Sequence, residues 1–136
     1  MRKRILLVDD DQAVQRLVTM TLGTTDFEVQ VASDGATALE MASAEPPDLV
    51  LLDVMMPDLD GFTVAAKLRA RPETANVTII MLTARGSADD LAQSQALGVK
   101  EHFIKPFSPL QLLETVYEIL DSSPATTPPK TAELTG

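Results

Sequence analysis

Asp48-Leu49-Val50-Leu51-Leu52-Asp53-Val54-Met55-Met56-Pro57-Asp58-Leu59-Asp60-Gly61 is the stretch on which the fold turns. Four consecutive apolar residues bounded by turn formers read as a strand covered on both faces, as inside a parallel sheet. Asp53 then falls at the carboxyl end of that strand. Burying a charge without partners is expensive, so a carboxylate on the lip of a dry strand implies a cation, a hydrogen-bond donor or chemistry. Asp58 and Asp60 look superficially like a metal-binding Asp-x-Asp pair, but their place just before Gly61 favours turn and capping roles.

Upstream, residues 5–8 form a short apolar strand that ends in Asp9-Asp10-Asp11. Asp11 is placed to cap a helix with Val14, Leu17, Val18 and Leu22 on one face and Gly23 as its stop. Residues 27–32 alternate as a second strand, and Asp34-Gly35 opens a helix that turns Ala38, Leu39 and Ala42 inward until Pro46-Pro47. Downstream, a helix is expected from Gly61 to about Arg71, then an apolar strand over 77–82 that stops at Thr83-Ala84. Ser87 with Asp90 makes a capping box for a helix that Gly98 closes. A fifth strand spans Glu101–Ile104. Ser108-Pro109, with Gln111 at the third helical position, opens a last helix whose stripe reads Leu110, Leu113, Val116, Tyr117 and Leu120.

Strands alternating with helices through short loops predict an α/β fold: a doubly wound, five-stranded parallel sheet of order 2-1-3-4-5 with five helices, flavodoxin-like. With 136 residues and 45% hydrophobic content, one core and one domain are expected, over residues 1–121. Residues 122–136, with three prolines between Ser122 and Lys130 and almost nothing to bury, read as a disordered tail or a truncated linker. The chain has no cysteine, which removes disulfides and thiolate metal sites. No apolar run reaches membrane-spanning length and no secretory signal is visible, so a soluble, cytoplasmic protein without membrane contact is expected. A net charge of −9, with scattered Lys and Arg, argues against direct nucleic-acid binding.

In sheets of this order ligands collect outside the carboxyl ends of the strands, near the switch point between the first and third. Those ends carry Asp9 and Asp10, Asp53, Thr83, and Lys105 just beyond the fifth strand. Singly, each has an ordinary reading: acids as caps or solvated loop, Thr83 as a turn hydroxyl, Lys105 as a surface amine. Three acids, a hydroxyl and a lysine at one sheet edge are a different matter. Together, Leu7-Val8-Asp9-Asp10-Asp11, Asp53 to Gly61, Leu82-Thr83-Ala84 and Lys105-Pro106-Phe107 resemble the receiver domains of two-component response regulators, of the chemotaxis type. The resemblance covers about residues 3 to 121.

That resemblance implies roles position by position. Asp53 would be the phosphoryl acceptor, with Asp9, Asp10, Asp53 and the Met55 backbone carbonyl holding Mg²⁺. Lys105 would contact the phosphate, and Thr83 would be the switch hydroxyl. The Lys105–Pro106 bond would be cis. Met55 and Arg85 would line the mouth of the site and tune the phosphate's lifetime; neither offers a carboxamide or acid to orient attacking water, so a moderate to long lifetime is expected. Three residues before the lysine the family usually has Tyr or Phe; here it is His102, smaller, polar and able to charge near neutral pH. An ordinary surface or hydrogen-bonded histidine is the competing reading, and Phe103 beside it reads as core.

The residue types suit the chemistry on their own terms. Converging carboxylates repel, and a hard divalent cation with oxygen ligands relieves the repulsion. The cation and Lys105 can neutralise a phosphoryl group in flight toward Asp53. The expected partners are a histidine kinase or histidine phosphotransfer protein as donor, and a downstream target protein or a missing output domain. The expected assembly is a monomer or a phosphorylation-dependent dimer, and no enzymatic turnover beyond self-phosphorylation and self-dephosphorylation is foreseen. A flavin-binding relative would need a Ser/Thr/Gly-rich phosphate loop where Asp9-Asp10-Asp11 stands, and a haloacid-dehalogenase-like hydrolase would want Asp-x-Asp after the first strand. The alternative that remains is a receiver-like docking module that is never phosphorylated.

Overall fold

The computed structural model describes residues 3–84 and 88–121. The expected tail over 122–136, and the places assigned to Arg85 and Ser87, lie outside the described residues. Ten elements alternate: β1 Arg4–Val8, α1 Gln12–Leu22, β2 Glu28–Ala32, α2 Gly35–Ala44, β3 Leu49–Asp53, α3 Gly61–Arg69, β4 Thr78–Thr83, α4 Ala88–Ala96, β5 Glu101–Ile104 and α5 Pro109–Asp121. The five strands are parallel, in order β2-β1-β3-β4-β5. Among the described residues no helix is long and apolar enough to cross a membrane.

β3 lies at the centre because both its faces are apolar: Leu49 to Leu52 are wholly buried. Alternate residues feed two cores. Leu6, Val8, Val50, Leu52, Ile79 and Met81 pack with α2 and α3 through Ala38, Leu39, Ala42, Val64, Ala65 and Leu68. Ile5, Leu7, Leu49, Leu51, Ile80 and Leu82 pack on the other face with Val14, Val18 and Leu22 of α1 and Leu112, Val116 and Leu120 of α5. Removing so much apolar surface from water is the main stabilising term.

Helix starts follow local chemistry. Asp11 accepts from Ala13 N–H, Asp34 from Thr37 N–H and Asp60 from Thr63 N–H, each satisfying an otherwise orphaned donor of α1, α2 or α3. Ser108 Oγ accepts from Gln111 N–H at the start of α5. Gly98, just beyond α4, has φ +71°, the left-handed conformation that glycine adopts without strain. Gly23 caps α1 differently, with φ −69°.

Three expectations need correction. α3 ends at Arg69 rather than Arg71, because Ala70 and Arg71 pass into a turn whose N–H groups return to Ala66 and Leu68 carbonyls. The stripe on α5 is rotated: Leu110 is 63% exposed and Tyr117 is on the surface, whereas Leu112, Val116 and Leu120 are buried. Leu110 sits in the first turn, before the helix seats on the sheet, and Tyr117 leaves the core to meet the Phe27 ring at 5.0 Å. Leu17 is only half-buried, so α1 seats through Val14, Val18 and Leu22.

Arg69, at the end of α3, ties two loops together with no carboxylate partner among the described residues. Its guanidinium donates to the carbonyls of Ala75, Val77, Leu97 and Gly98 at 2.6–3.1 Å. This fixes the connection into β4 and the one into β5.

Candidate functional site

The carboxyl ends of β1, β3 and β4 and the residue after β5 meet at one edge. Parallel register brings this about: Val8 pairs with Leu52, Asp53 with Leu82, and Thr83 with Ile104, so each chain leaves the sheet at nearly the same level. Asp9 is fully buried and Asp53 is 5% exposed, while Asp10 stands open to solvent. One oxygen from each of Asp9, Asp10 and Asp53 lies within 4.8 Å of the others.

Lys105 Nζ reaches into this notch, 2.8 Å from Asp9 Oδ2 and 3.4 Å from Asp53 Oδ1. Its backbone N–H donates to the Thr83 carbonyl at 2.7 Å, which anchors the lysine to the end of β4. Thr83 is itself buried. Asp9 is held from both sides: its Oδ1 accepts from Asp11 N–H at 2.9 Å, and its carbonyl accepts from the Gln15 side-chain amide at 2.7 Å. Met55 N–H donates to Asp53 Oδ1 at 3.3 Å, and the Met55 side chain is exposed. The Lys105–Pro106 bond is cis, as the resemblance implied.

The electrostatics follow from crowding. Burial, then the charge of Asp9, raise the Asp53 carboxyl to about 6, against the pull of Lys105 and the Met55 N–H. Burial works against the Lys105 ammonium, but its pairs with Asp9 and Asp53 together outweigh burial and raise its pKa. One amine among three carboxylates leaves net negative charge in a confined space. Asp9 Oδ2 is buried with the Lys105 ion pair and, among the described residues, no hydrogen bond besides. Three converging carboxylate oxygens with that residual charge fit a hard divalent cation such as Mg²⁺, which favours oxygen ligands and keeps several waters.

His102 lies on β5 opposite Met81 and is half-buried, with Phe103 in the opposing core. Neither ring nitrogen has a hydrogen-bond partner among the described residues, and both are buried. Burial lowers its pKa, against the opposing influence of Asp90 on α4 and neighbouring Glu101. The side chain is half-buried, with neither ring nitrogen hydrogen-bonded among the described residues. Ser94 on α4 is buried with its Oγ equally without a partner among the described residues. Sequence reading missed Ser94; the available signal was that Ala88–Ala96, Ala-Asp-Asp-Leu-Ala-Gln-Ser-Gln-Ala, has no apolar stripe to seat it.

It also missed the reach of Asp58. Asp60 does cap its own helix, but the Asp58 carboxylate crosses to α2 and accepts from Gly35 N–H and Ala36 N–H, both at 3.0 Å. Those two donors hold its carboxyl below the usual carboxylate range. No local pattern announces a cap that joins residues 22 and 23 positions apart.

Residues 5–117 match the response regulator receiver domain. The chain belongs to that family. This receiver domain is 39% identical over 117 residues to the DNA-binding dual master transcriptional regulator RpaA of Synechocystis, covering 86% of this chain and 48% of RpaA. It is 41% identical over 116 residues to the response regulator PleD of Caulobacter vibrioides, covering 85% of this chain and 26% of PleD. The chain therefore spans about half or less of the length of these curated relatives. Chemotaxis protein CheY4 of Vibrio cholerae superposes with a TM-score of 0.83 at 31% identity, covering 88% of this chain and 99% of CheY4. The function of the receiver domain lies in phosphorelay signal transduction, and these relatives do not favour a docking module outside it.

Proposed function

We propose that Asp53 accepts a phosphoryl group from a phosphohistidine donor, a histidine kinase or a histidine phosphotransfer protein. One Asp53 oxygen attacks phosphorus; the P–N bond breaks, and its electron pair leaves on the imidazole. Asp9, Asp10, Asp53 and the Met55 carbonyl would hold Mg²⁺, which when bound supplies positive charge for the equatorial phosphoryl oxygens. Lys105 adds a second positive charge, held by Asp9 and Asp53 before the donor arrives. The observation that carries this reading is Lys105 Nζ seated between Asp9 and Asp53 at 2.8 and 3.4 Å. The product is a mixed anhydride, which water removes, so the chain takes up and loses a phosphoryl group without turning over a separate substrate.

A phosphate on Asp53 replaces a carboxylate of one negative charge with an acyl phosphate of about two, and sets strong acceptor oxygens beside Thr83. Thr83 is then drawn toward it, and β4, β5 and α4 reset as a two-state surface, with His102 in the place where an aromatic usually moves. The surface offered to a target carries exposed Leu91, Ile104 and Leu110, beside a cleft of about 450 Å³ lined by His102, Ile104, Pro106, Phe107 and Gln111. A target protein or an output domain reads this face, in a monomer or a phosphorylation-dependent dimer. The working unit is residues 1–121, and its place is the cytoplasm.

Incubation with acetyl phosphate and Mg²⁺, read by intact mass, tests the proposal. Wild type gains one phosphoryl group; Asp53→Asn, or wild type with the metal chelated, gains none. A wild type that gains nothing overturns the acceptor role and leaves a docking module. Exposed Met55, and Arg85, give attacking water no carboxamide or acid, so the phosphate outlasts seconds in Mg²⁺ buffer; loss within seconds would contradict their assigned role.

A further inference from the structure

The loop of residues 54–60 leaves β3 directly above the site and carries the Met55 backbone, yet Met55, Pro57, Asp58 and Asp60 are all exposed. Apolar burial holds it only partly, through Val54, Met56 and Leu59. At its base, Gly61 N–H donates to the Val54 carbonyl at 2.7 Å, and a side chain at Gly61 would collide with the Asp53 carbonyl. Nearer its tip the fastening is Asp58, whose two oxygens take the first two N–H groups of α2.

The seat on α2 is shaped for this. A Cβ at Gly35 would stand 2.9 Å from both Leu59 Cβ and Val64 Cγ2, so glycine is what lets the loop lie on the helix end. Asp34 caps the same helix but takes a different donor, Thr37 N–H at 2.7 Å. The two aspartates therefore divide the work: Asp34 finishes α2, and Asp58 joins α2 to the loop. A bidentate, charge-assisted pair at a helix N-terminus is favourable in both hydrogen-bond and dipole terms.

We propose that Asp58 is a positioning residue for the phosphoryl-acceptor site. It touches neither cation nor phosphate; by clasping the loop to α2 it fixes the Met55 backbone relative to Asp53, and so the set of oxygens offered to the cation. This rests on the reading of the notch as a Mg²⁺ and phosphoryl site.

The test compares Asp58→Ala, Asp58→Asn and Asp34→Ala with wild type in Mg²⁺ affinity by calorimetry, amide hydrogen exchange at Val54, Met55 and Met56, and Tm. Asp58→Ala weakens Mg²⁺ binding about tenfold, the usual scale for outer partners of a metal site, and speeds exchange at those three amides. Asp58→Asn keeps one acceptor oxygen and falls between. Asp34→Ala lowers Tm but leaves Mg²⁺ affinity within twofold and the loop amides protected. Equal loss of Mg²⁺ affinity in Asp34→Ala and Asp58→Ala would reduce Asp58 to helix stability and overturn the proposal, as would unchanged affinity or unchanged loop exchange in Asp58→Ala. The Mg²⁺ titration decides the clasp even if wild type takes no phosphoryl group from acetyl phosphate, an outcome that would sink the acceptor reading alone.

Discussion

The two flanks of the notch are built on opposite terms. On the α2 side, backbone donors at the helix start are paired with Asp34 and Asp58, and Ala38, Leu39 and Ala42 are buried below. On the α4 side, Ser94 is the one buried side chain among the described residues of the helix, and its Oγ and both nitrogens of His102 lack partners among the described residues. A buried polar group without a partner costs about 1–3 kcal/mol. One flank is therefore firmly fastened, and the other, among the described residues, is seated by little buried side chain. A helix with so few buried described residues is expected at the low end of local stability.

Core truncations sharpen the contrast most. Leu112→Ala on α5 removes a wholly buried side chain and should cost roughly 3 kcal/mol in urea unfolding. Leu91→Ala on α4, at an exposed position, should stay within about 0.5 kcal/mol. A large cost at Leu91 would break the comparison.

Asp53→Asn comes next. The Asp53 pKa is raised to about 6, so the folded state favours the protonated form. Its stabilising contribution is present below the unfolded value of 3.8 and is lost as pH rises through about 6. In metal-free buffer Asp53→Asn should be more stable than wild type above pH 7, with the gain vanishing toward pH 4. Water at the mouth of the site screens part of the effect, leaving roughly 1 kcal/mol. Thermal melts across that range check both sign and window.

His102→Phe should stabilise by up to about 1 kcal/mol, since it exchanges two buried nitrogens, unpartnered among the described residues, for an apolar ring. The pH dependence separates it from Asp53. Because burial lowers the His102 pKa below 6.5, wild type loses stability as pH falls below that value, until the folded-state imidazole also charges. The variant should not show this loss, so the difference between the two proteins widens on acidification below pH 6.5. The finest comparison is amide exchange: residues 90–96 of α4 should exchange faster than residues 15–22 of α1.

The contrast also explains what could be read from the sequence. The strands were legible because β3 and its neighbours are continuous apolar runs, and the notch was legible because parallel strands of similar length end at one level, bringing Asp9, Asp53, Thr83 and Lys105 together. Helix starts at Asp11, Asp34 and Asp60 were legible because capping is local. The α5 stripe was misphased because Leu110, Leu112 and Leu113 offer two adjacent apolar seams, and only packing on the sheet selects Leu112. The clasp of Asp58 and the burial of the His102 nitrogens are matters of tertiary placement. Sequence spacing is blind to a bond between residue 58 and residue 35, and to which side of a half-buried ring is covered.

Arg69 carries a practical corollary. Its four acceptors are main-chain carbonyls of Ala75, Val77, Leu97 and Gly98, so the fastening does not depend on which side chains those positions bear. The surface of both connections is free to be rewritten, by drift or by grafting, provided the chain path and the left-handed turn at Gly98 survive. Lysine would not serve instead, because a single ammonium cannot span the fork that one planar guanidinium covers.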